Sequence, residues 1–274
     1  MMAGGDGGFS DFRIVPDRLH QGMLNALVLM RLITQSAFTK DPAVTYKGAS
    51  VISTNSADWH YNGNSQGGIM GGVYMGATSD VATGVLGVGG GPYAMLLPRS
   101  SDFSELFAIL KIRYPRSMDR MSLLALMQAL WDRMDPAGWA GYIGAPLPGN
   151  PAHRVIHQYG IGDHQVTWLG AHAIAATTGA SMFASNVRVG NESLSYFNAV
   201  DDATVVTTGS MMVGVDFGFP TPPFTNTPPT EGDDAHECPR RTPALQAQMA
   251  RFFATGEIAN LCGGACRQDG CPRG

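Results

Sequence analysis

A serine surrounded by glycines is the residue of this chain best placed for nucleophilic chemistry. Ser65 stands in the stretch YNGNSQGGIMGG (residues 61–72), where Gly63 and Gly67 complete the pattern G-x-S-x-G. A serine on a sharp strand-to-helix turn takes a strained backbone conformation, and glycines two positions away avoid side-chain clashes there. The N–H of Gln66 would then point from the helix N-terminus at a developing oxyanion. Because the chain holds 35 glycines, the alternative is an ordinary serine in a glycine-rich turn.

A nucleophilic serine needs a base and an acid that orients the base, and both have candidates later in the chain. In strand-turn-helix sites of this kind the order is Ser, then Asp or Glu, then His. Asp163, in VIHQYGIGDHQV, follows an apolar strand and two glycines and precedes a helix. His236, in EGDDAHECPRR, precedes the last predicted helix. Ser65, Asp163 and His236 are therefore the candidate catalytic residues.

Other histidines and acids in the chain occupy less fitting positions. The histidines in predicted strands, where a structural role is usual, are His60 and His157. Asp216 is the main alternative acid, because it follows a later strand. Asp233 and Asp234 are expected on a solvated face. A solvated loop histidine beside these acids is the alternative interpretation of His236.

The elements that must position these residues alternate between helix and strand. Helices are predicted over 10–37, 165–179 and 241–256, and strands over 57–62, 84–90, 154–160 and within 204–218. This alternation predicts an α/β fold, a mostly parallel sheet flanked by helices. Open sheets of this class place their sites at the carboxyl ends of the strands. Residues 181–200 are ambiguous.

The stretch between two of these strands has a different character. Residues 93–150 contain two amphipathic segments, SDFSELFAILKIRY and DRMSLLALMQALWDRMD, and are expected to form a helical cap insertion. The whole chain, 1–274, is then one domain, with 257–274 as a Cys-rich tail. Several large apolar side chains could either line a pocket for the acyl group of a substrate or pack within the cap. They are Trp131, Trp139, Trp168, Met118, Met121, Met127 and Met134.

Composition excludes several classes of function. Apolar residues make up 44% and charged residues 15% of the chain, and the net charge is −4, so no basic field for a nucleic acid is expected. The apolar runs are too short for a membrane span. All four cysteines, Cys238, Cys262, Cys266 and Cys271, lie near the C-terminus. They favour disulfides over a metal site, and hence a secreted or extracytoplasmic protein, although no signal peptide is visible in this chain.

Three motifs together resemble the α/β-hydrolase family, in particular its serine esterases and lipases. They are YNGNSQGG at the nucleophile, GIGDHQV at the acid and DDAH before the final helix. The resemblance covers about residues 57–255 and implies a Ser65–Asp163–His236 catalytic triad. It also implies hydrolysis of a small-molecule carboxylic ester through an acyl-serine intermediate, with no metal or organic cofactor. The composition and the apolar cap favour uncharged, partly hydrophobic esters.

The N-terminal part of the chain departs from that family. Several strands precede the nucleophile in the family, and the loop after the third carries a second oxyanion donor. Only 64 residues precede Ser65 here, and about the first 40 look helical. We therefore expect an N-terminally shortened fold without those strands, which would also explain the missing export signal. An uncovered sheet edge would favour a homo-oligomer.

Two other functions fit the same residues. A peptidase or thioesterase would use the same triad and the same chemistry as far as the acyl-enzyme. A truncated, catalytically weak hydrolase fold could instead act as a binding or structural module.

Overall fold

A parallel six-stranded sheet forms the centre of the protein in the computed structural model, which describes residues 11–35, 37–53, 55–190 and 193–272. A separate antiparallel hairpin comes first, with strands β1 (Thr45–Tyr46) and β2 (Ala49–Ser50). The strands of the main sheet are β3 (His60–Asn64), β4 (Thr83–Gly87), β5 (Arg154–Ile161), β6 (Ser181–Phe183), β7 (Ala199–Val200) and β8 (Met211–Asp216). Their order across the sheet is β3-β4-β5-β8-β6-β7, and every neighbouring pair is parallel. The predicted α/β class with a mostly parallel sheet is confirmed.

Helices cover both faces of this sheet. They are α1 (Ile14–Gln35), α2 (Gln66–Ala77), α3 (Tyr93–Leu96), α4 (Ser104–Arg113), α5 (Ser117–Trp131), α6 (Pro136–Trp139), α7 (Gly141–Gly144), α8 (Trp168–Thr177) and α9 (Pro243–Thr255). Helix α2 contacts β3 and β4, and α8 contacts β5 and β8. On the other face, Phe252 of α9 packs with Ile156 and Val213. The central strands are therefore buried on both sides, which explains their nearly continuous apolar sequences.

The carboxyl ends of the strands lie along one edge of the sheet. Asn64 of β3 pairs with Gly87 of β4, and Gly87 pairs with Gln158 of β5. Strand β5 continues beside β8 as far as the pair Ile161 and Asp216. The turns that follow β3 and β5 therefore start from the same edge, as expected for parallel strands.

Strand β3 lies at one end of the strand order. Within the described ranges, no strand pairs with its outer side. The nearest preceding strands, β1 and β2, form their own small sheet. The homo-oligomer expected from an uncovered edge stays a prediction.

The segment between β4 and β5 contains helices α3 to α7 and contributes most of one apolar cluster, which Ile69 of α2 and Val166 also join. Tyr93, Leu110, Leu124 and Trp131 belong to this cluster. Phe12, just before α1, joins it through an edge-to-face contact with Trp131 at 4.6 Å between ring centroids. Helices occupy most of 93–150, and the cap insertion predicted there stays a prediction.

The short strands β6 and β7 lie in the ambiguous stretch 181–200. They hold three and two residues, which is too short for an alternating pattern to be recognised. The predicted strand 57–62 also starts later than expected, because Ser56–Asp58 forms a 3-10 turn and β3 begins at His60.

Two disulfides hold the C-terminal tail. Cys238 pairs with Cys271, and Cys262 pairs with Cys266. The tail also bonds to the end of β8, because Asp216 N–H donates to Cys266 O at 3.0 Å and Gln268 N–H donates to Asp216 O at 2.9 Å. The predicted disulfides are present, and they are compatible with an extracellular location. Among the described helices, none has the length and apolar character needed to cross a membrane.

Candidate active site

Ser65 occupies the turn between β3 and α2 in a backbone conformation that is rare for a residue with a side chain. Its φ is 59° and its ψ is −124°. A positive φ in a non-glycine residue is strained, and such strain is commonly kept at functional sites. The Ser65 N–H donates to Gly87 O at 2.9 Å, which fixes the turn to the end of β4. Ser65 is therefore held at the carboxyl edge of the sheet.

The two glycines of the G-x-S-x-G pattern have different surroundings. A Cβ at Gly63 would lie 2.6 Å from Gly67 C and 2.7 Å from Tyr61 Oη, so no larger residue fits there without movement. A Cβ at Gly67 would meet nothing within 4 Å. The clash expected at Gly67 is not found. The tight contact lies one residue later, because a Cβ at Gly68 would approach Gly87 O to 2.5 Å.

Gln66 begins helix α2 and lies beside the serine. The first hydrogen bond of the turn runs from Ile69 N–H to Ser65 O at 2.9 Å, so the N–H of Gln66 precedes the helical bonds. Among the described residues, no acceptor receives that N–H. The Gln66 side chain donates from Nε2 to Tyr93 Oη at 2.7 Å, which ties the turn to helix α3. In the described ranges the backbone N–H of Gln66 therefore has no acceptor, and its role toward an oxyanion stays a prediction.

Asp163 and His236 form a buried hydrogen-bonded pair. His236 Nδ1 lies 2.9 Å from Asp163 Oδ2 and 3.0 Å from Oδ1, and each side chain is only 2% exposed. Asp163 Oδ1 also accepts the backbone N–H groups of Gln165 and Val166 at 2.9 and 2.8 Å. These bonds fix the carboxylate in the turn after β5 and direct it at Nδ1 of the imidazole.

The environment of this pair shifts both pKa values. Burial lowers the pKa of His236, but the hydrogen bond and the charge of Asp163 outweigh it and raise that pKa above its ordinary value. Burial raises the pKa of the Asp163 carboxyl, while the bonds from His236 and the two backbone N–H groups act against that rise. An imidazole held in this way has its Nδ1 proton directed at the carboxylate, which leaves Nε2 as the basic nitrogen.

His236 Nε2 is buried and makes no hydrogen bond within the described part of the chain. In those same ranges Ser65 Oγ also has no hydrogen-bond partner. The structure therefore joins His236 to Asp163 directly, whereas no hydrogen bond joins His236 to Ser65. A buried nitrogen without a partner costs about 1–3 kcal/mol, and active sites are among the places that retain such groups.

Asp234 is a residue of this site that the sequence interpretation missed. Its Oδ1 accepts the N–H groups of His164 and His236, both at 2.9 Å, and its Oδ2 accepts Gln165 Nε2 at 2.8 Å. It is not a residue of a solvated face, because it bonds the Asp163 turn to the His236 loop. The sequence did contain a local signal, because an Asp side chain often accepts the backbone N–H two positions later, which here is that of His236.

The rival residues have other roles in the structure. His60 Nδ1 lies 2.6 Å from Thr83 Oγ1, and the ring stacks on Phe253. His157 is buried, which lowers its pKa to about 4, and bonds to Thr178 Oγ1 at 3.1 Å. Asp216 accepts the N–H of Gly218 at 3.0 Å and contacts no histidine through a hydrogen bond in the described ranges. Asp163 is therefore the carboxylate that orients a histidine here.

The family's second oxyanion donor would come from a loop after a strand that precedes β3. In the ranges that the structure describes, the main sheet has no such strand. These residues also hold no group of three or more His, Cys, Asp or Glu side chains that could bind a metal ion.

Comparison of the chain with models of protein families, with curated proteins and with solved structures gave no match. The hydrolase resemblance therefore rests on the three sequence motifs, and the structure establishes an α/β fold with a parallel sheet flanked by helices.

Proposed function

We propose that this protein is a serine hydrolase that cleaves carboxylic esters. The buried pair of Asp163 and His236 is the observation that carries the proposal. Its Nδ1 is bonded to the carboxylate, and its Nε2 has no hydrogen-bond partner among the described residues. The strained Ser65 at the same edge of the sheet supports it, because such a turn exposes a nucleophilic hydroxyl.

The reaction follows from the roles of these groups. Ser65 Oγ attacks the ester carbonyl carbon and transfers its proton to His236 Nε2, while Asp163 stabilises the imidazolium. The oxyanion receives the Gln66 N–H, and the alcohol leaves with the proton from His236. Water then attacks the acyl-serine by the same route and releases the acid. One oxyanion donor is worth about 3–4 kcal/mol of the barrier, so a single donor gives a slow enzyme.

Ser65 Oγ and His236 Nε2 must come within hydrogen-bond reach during this reaction. Catalytic hydrogen bonds are often long without substrate and tighten in the substrate complex. The lack of such a bond here also favours a second candidate, a hydrolase fold that binds a ligand without turning it over. A peptidase or thioesterase would share the triad, and only a panel of substrates separates them from an esterase.

The disulfides support an exported protein. Two disulfides close the C-terminal tail, and such bonds persist in oxidising compartments. We therefore place the protein outside the cytoplasm as part of this proposal.

The test uses a Ser65→Ala variant, an ester chromogen and an active-site label. Wild-type protein should hydrolyse p-nitrophenyl butyrate and react with a fluorophosphonate probe, and Ser65→Ala should do neither. Ser122→Ala, at an exposed serine of α5, is the matched control and should behave as wild type. Turnover that persists in Ser65→Ala would refute the assignment. A folded wild type that neither turns over nor labels would favour the binding module.

A further inference from the structure

A cleft of about 630 Å³ lies among α3, α4, α5 and the proline-rich loop that follows β8. Its volume is typical of a site for a small molecule. One group of lining side chains is apolar: Met95, Phe107 and Leu124. Another is cationic: Arg99, Lys111 and Arg120. The cleft therefore combines an apolar wall with several positive charges.

Among the residues that the structure describes, these positive charges have no carboxylate partner. Within the described ranges, none of the three cations lies within 4.0 Å of an acidic oxygen, although Arg116 close by pairs with Asp119 at 2.7 Å. Arg99 Nε is buried and has no acceptor there. Lys111 Nζ lies 5.1 Å from the centre of the Phe107 ring, which is an apolar neighbour. Arg120 Nη1 donates to Tyr114 O and Pro115 O at 2.8 and 2.7 Å, and Arg99 Nη1 donates to Met95 O at 3.1 Å. These acceptors are neutral and Lys111 is exposed, so all three groups keep their positive charge around the cleft, where an anionic group of a ligand would be stabilised.

Tyr93 connects this cleft to the turn that holds Ser65. Pro92 and Ala94, on either side of Tyr93 in the chain, both line the cleft. The Tyr93 backbone N–H donates to Asp135 Oδ2 at 2.7 Å, and its Oη accepts Gln66 Nε2 at 2.7 Å. Tyr93 is thus fixed at both ends, and the cleft begins beside the residue that bonds to Gln66. Another cleft, of about 600 Å³, lies at the amino ends of β5 and β8, around Arg154 and Ser210.

We infer that this cleft binds amphipathic carboxylates, with the apolar chain against Phe107 and Leu124 and the anionic group among Arg99, Lys111 and Arg120. As a statement about substrate, the inference rests on the proposed function: the preferred ester then carries a carboxylate at the end of an apolar chain. The binding part of the inference does not require the protein to hydrolyse any substrate. The substrate part differs from the expectation of uncharged, partly hydrophobic esters, which came from the composition and the apolar cap.

The binding test uses the Ser65→Ala variant, so that turnover plays no part. Octanoate should bind in isothermal titration calorimetry, and octanamide, which has the same chain without the charge, should bind at least about tenfold more weakly. Lys111→Gln should weaken octanoate binding by about threefold to tenfold, and Lys111→Glu should weaken it further. Arg113→Gln is the matched control, because Arg113 is an exposed cation of the same helix that does not line the cleft.

Equal affinity for octanoate and octanamide, or no octanoate binding, would overturn the inference. An equal effect of Lys111→Gln and Arg113→Gln would do the same. Thermal melts of the variants show whether each is folded, and Lys111 is exposed, so its replacement should not unfold the protein.

A kinetic test separates this inference from the proposed function. The p-nitrophenyl monoester of adipic acid should be hydrolysed with a higher kcat/KM than p-nitrophenyl hexanoate, and Lys111→Gln should reduce that ratio by about threefold to tenfold. If neither ester is hydrolysed but octanoate still binds, the proposed function is refuted and the cleft remains a binding site. Hydrolysis of both esters at equal rates, with no octanoate binding, would overturn only the inference about the cleft and leave the proposed function standing.

Discussion

The carboxylate of Asp234 accepts the backbone N–H of His164 at 2.9 Å, although 70 positions separate the two residues in the chain. The same oxygen accepts the N–H of His236, and the other oxygen accepts Gln165 Nε2. One side chain therefore bonds the turn that carries Asp163 to the loop that carries His236. We therefore expect this link to help hold the acid and the base of the proposed triad at their observed distance.

Asp234→Ala should lower kcat/KM for an ester by about tenfold to a hundredfold, because a small misplacement of the base costs about that much. Asp234→Asn should lose less, since its amide oxygen can still accept both backbone N–H groups. Asp233→Ala is the neighbouring control, because Asp233 is exposed and makes no hydrogen bond in the described part of the chain. Equal kcat/KM values in Asp233→Ala and Asp234→Ala would show that Asp234 does not position the site.

The pH dependence of the reaction should report the titration of His236. The base must be neutral, and Asp163 raises the pKa of His236 above the ordinary 6.5. Activity should therefore rise with pH, with an acid-limb midpoint in kcat/KM above 6.5. A profile of kcat/KM against pH on a neutral ester checks this, and a midpoint at or below that value would contradict the role of the pair.

Asp163→Asn should abolish most of the activity, by roughly 10³- to 10⁴-fold, because an amide favours the wrong imidazole tautomer. Any residual activity should show a lower acid-limb midpoint, since the charge that raises the pKa of His236 is gone. Circular dichroism should show an intact fold, because the amide oxygen can still accept the Gln165 and Val166 N–H groups. Residual activity with an unchanged midpoint would argue that another group titrates.

Gly68 and Gly67 offer a matched pair for stability. Gly68→Ala places a methyl group 2.5 Å from Gly87 O and 2.9 Å from Gly89 Cα, and should reduce the free energy of unfolding by about 1–3 kcal/mol. Gly67→Ala meets nothing within 4 Å and should be neutral or stabilising by up to about 1 kcal/mol, since alanine favours a helix. Urea unfolding of both variants measures the difference. A Gly67→Ala variant less stable than Gly68→Ala would contradict the packing of this turn.

The two disulfides should contribute unequally. Cys238 and Cys271 are 33 positions apart and Cys262 and Cys266 only 4, so loop-closure entropy predicts about 4 and about 2 kcal/mol respectively. The double variant Cys238→Ala/Cys271→Ala should also lower activity, because Cys238 lies two residues after His236. The double variant Cys262→Ala/Cys266→Ala is the control, and thermal unfolding with an ester assay compares them. If the control variant loses more stability and activity, contacts other than the Cys238–Cys271 disulfide must hold the His236 loop.

The sequence by itself determined the fold class, and the reason is local. Helices and strands carry their own periodicity, so α1, α8, α9 and the central strands could be predicted close to where they lie. The turn at Ser65 could also be predicted, because a glycine pattern between a strand and a helix is contained within a dozen residues. Short strands such as β6 and β7 could not be predicted, because two or three residues are too few to show a periodic pattern.

Only the tertiary structure decided which distant side chains meet. The Asp163–His236 bond, the link through Asp234 and the pairing of four cysteines each join residues that local patterns treat as independent. The cationic cleft is the clearest case. Arg99, Lys111 and Arg120 are scattered charges in a mildly acidic sequence, and packing of α3, α4 and α5 brings them around one cavity. Charge interactions act through space over a few ångströms, so composition could not anticipate them.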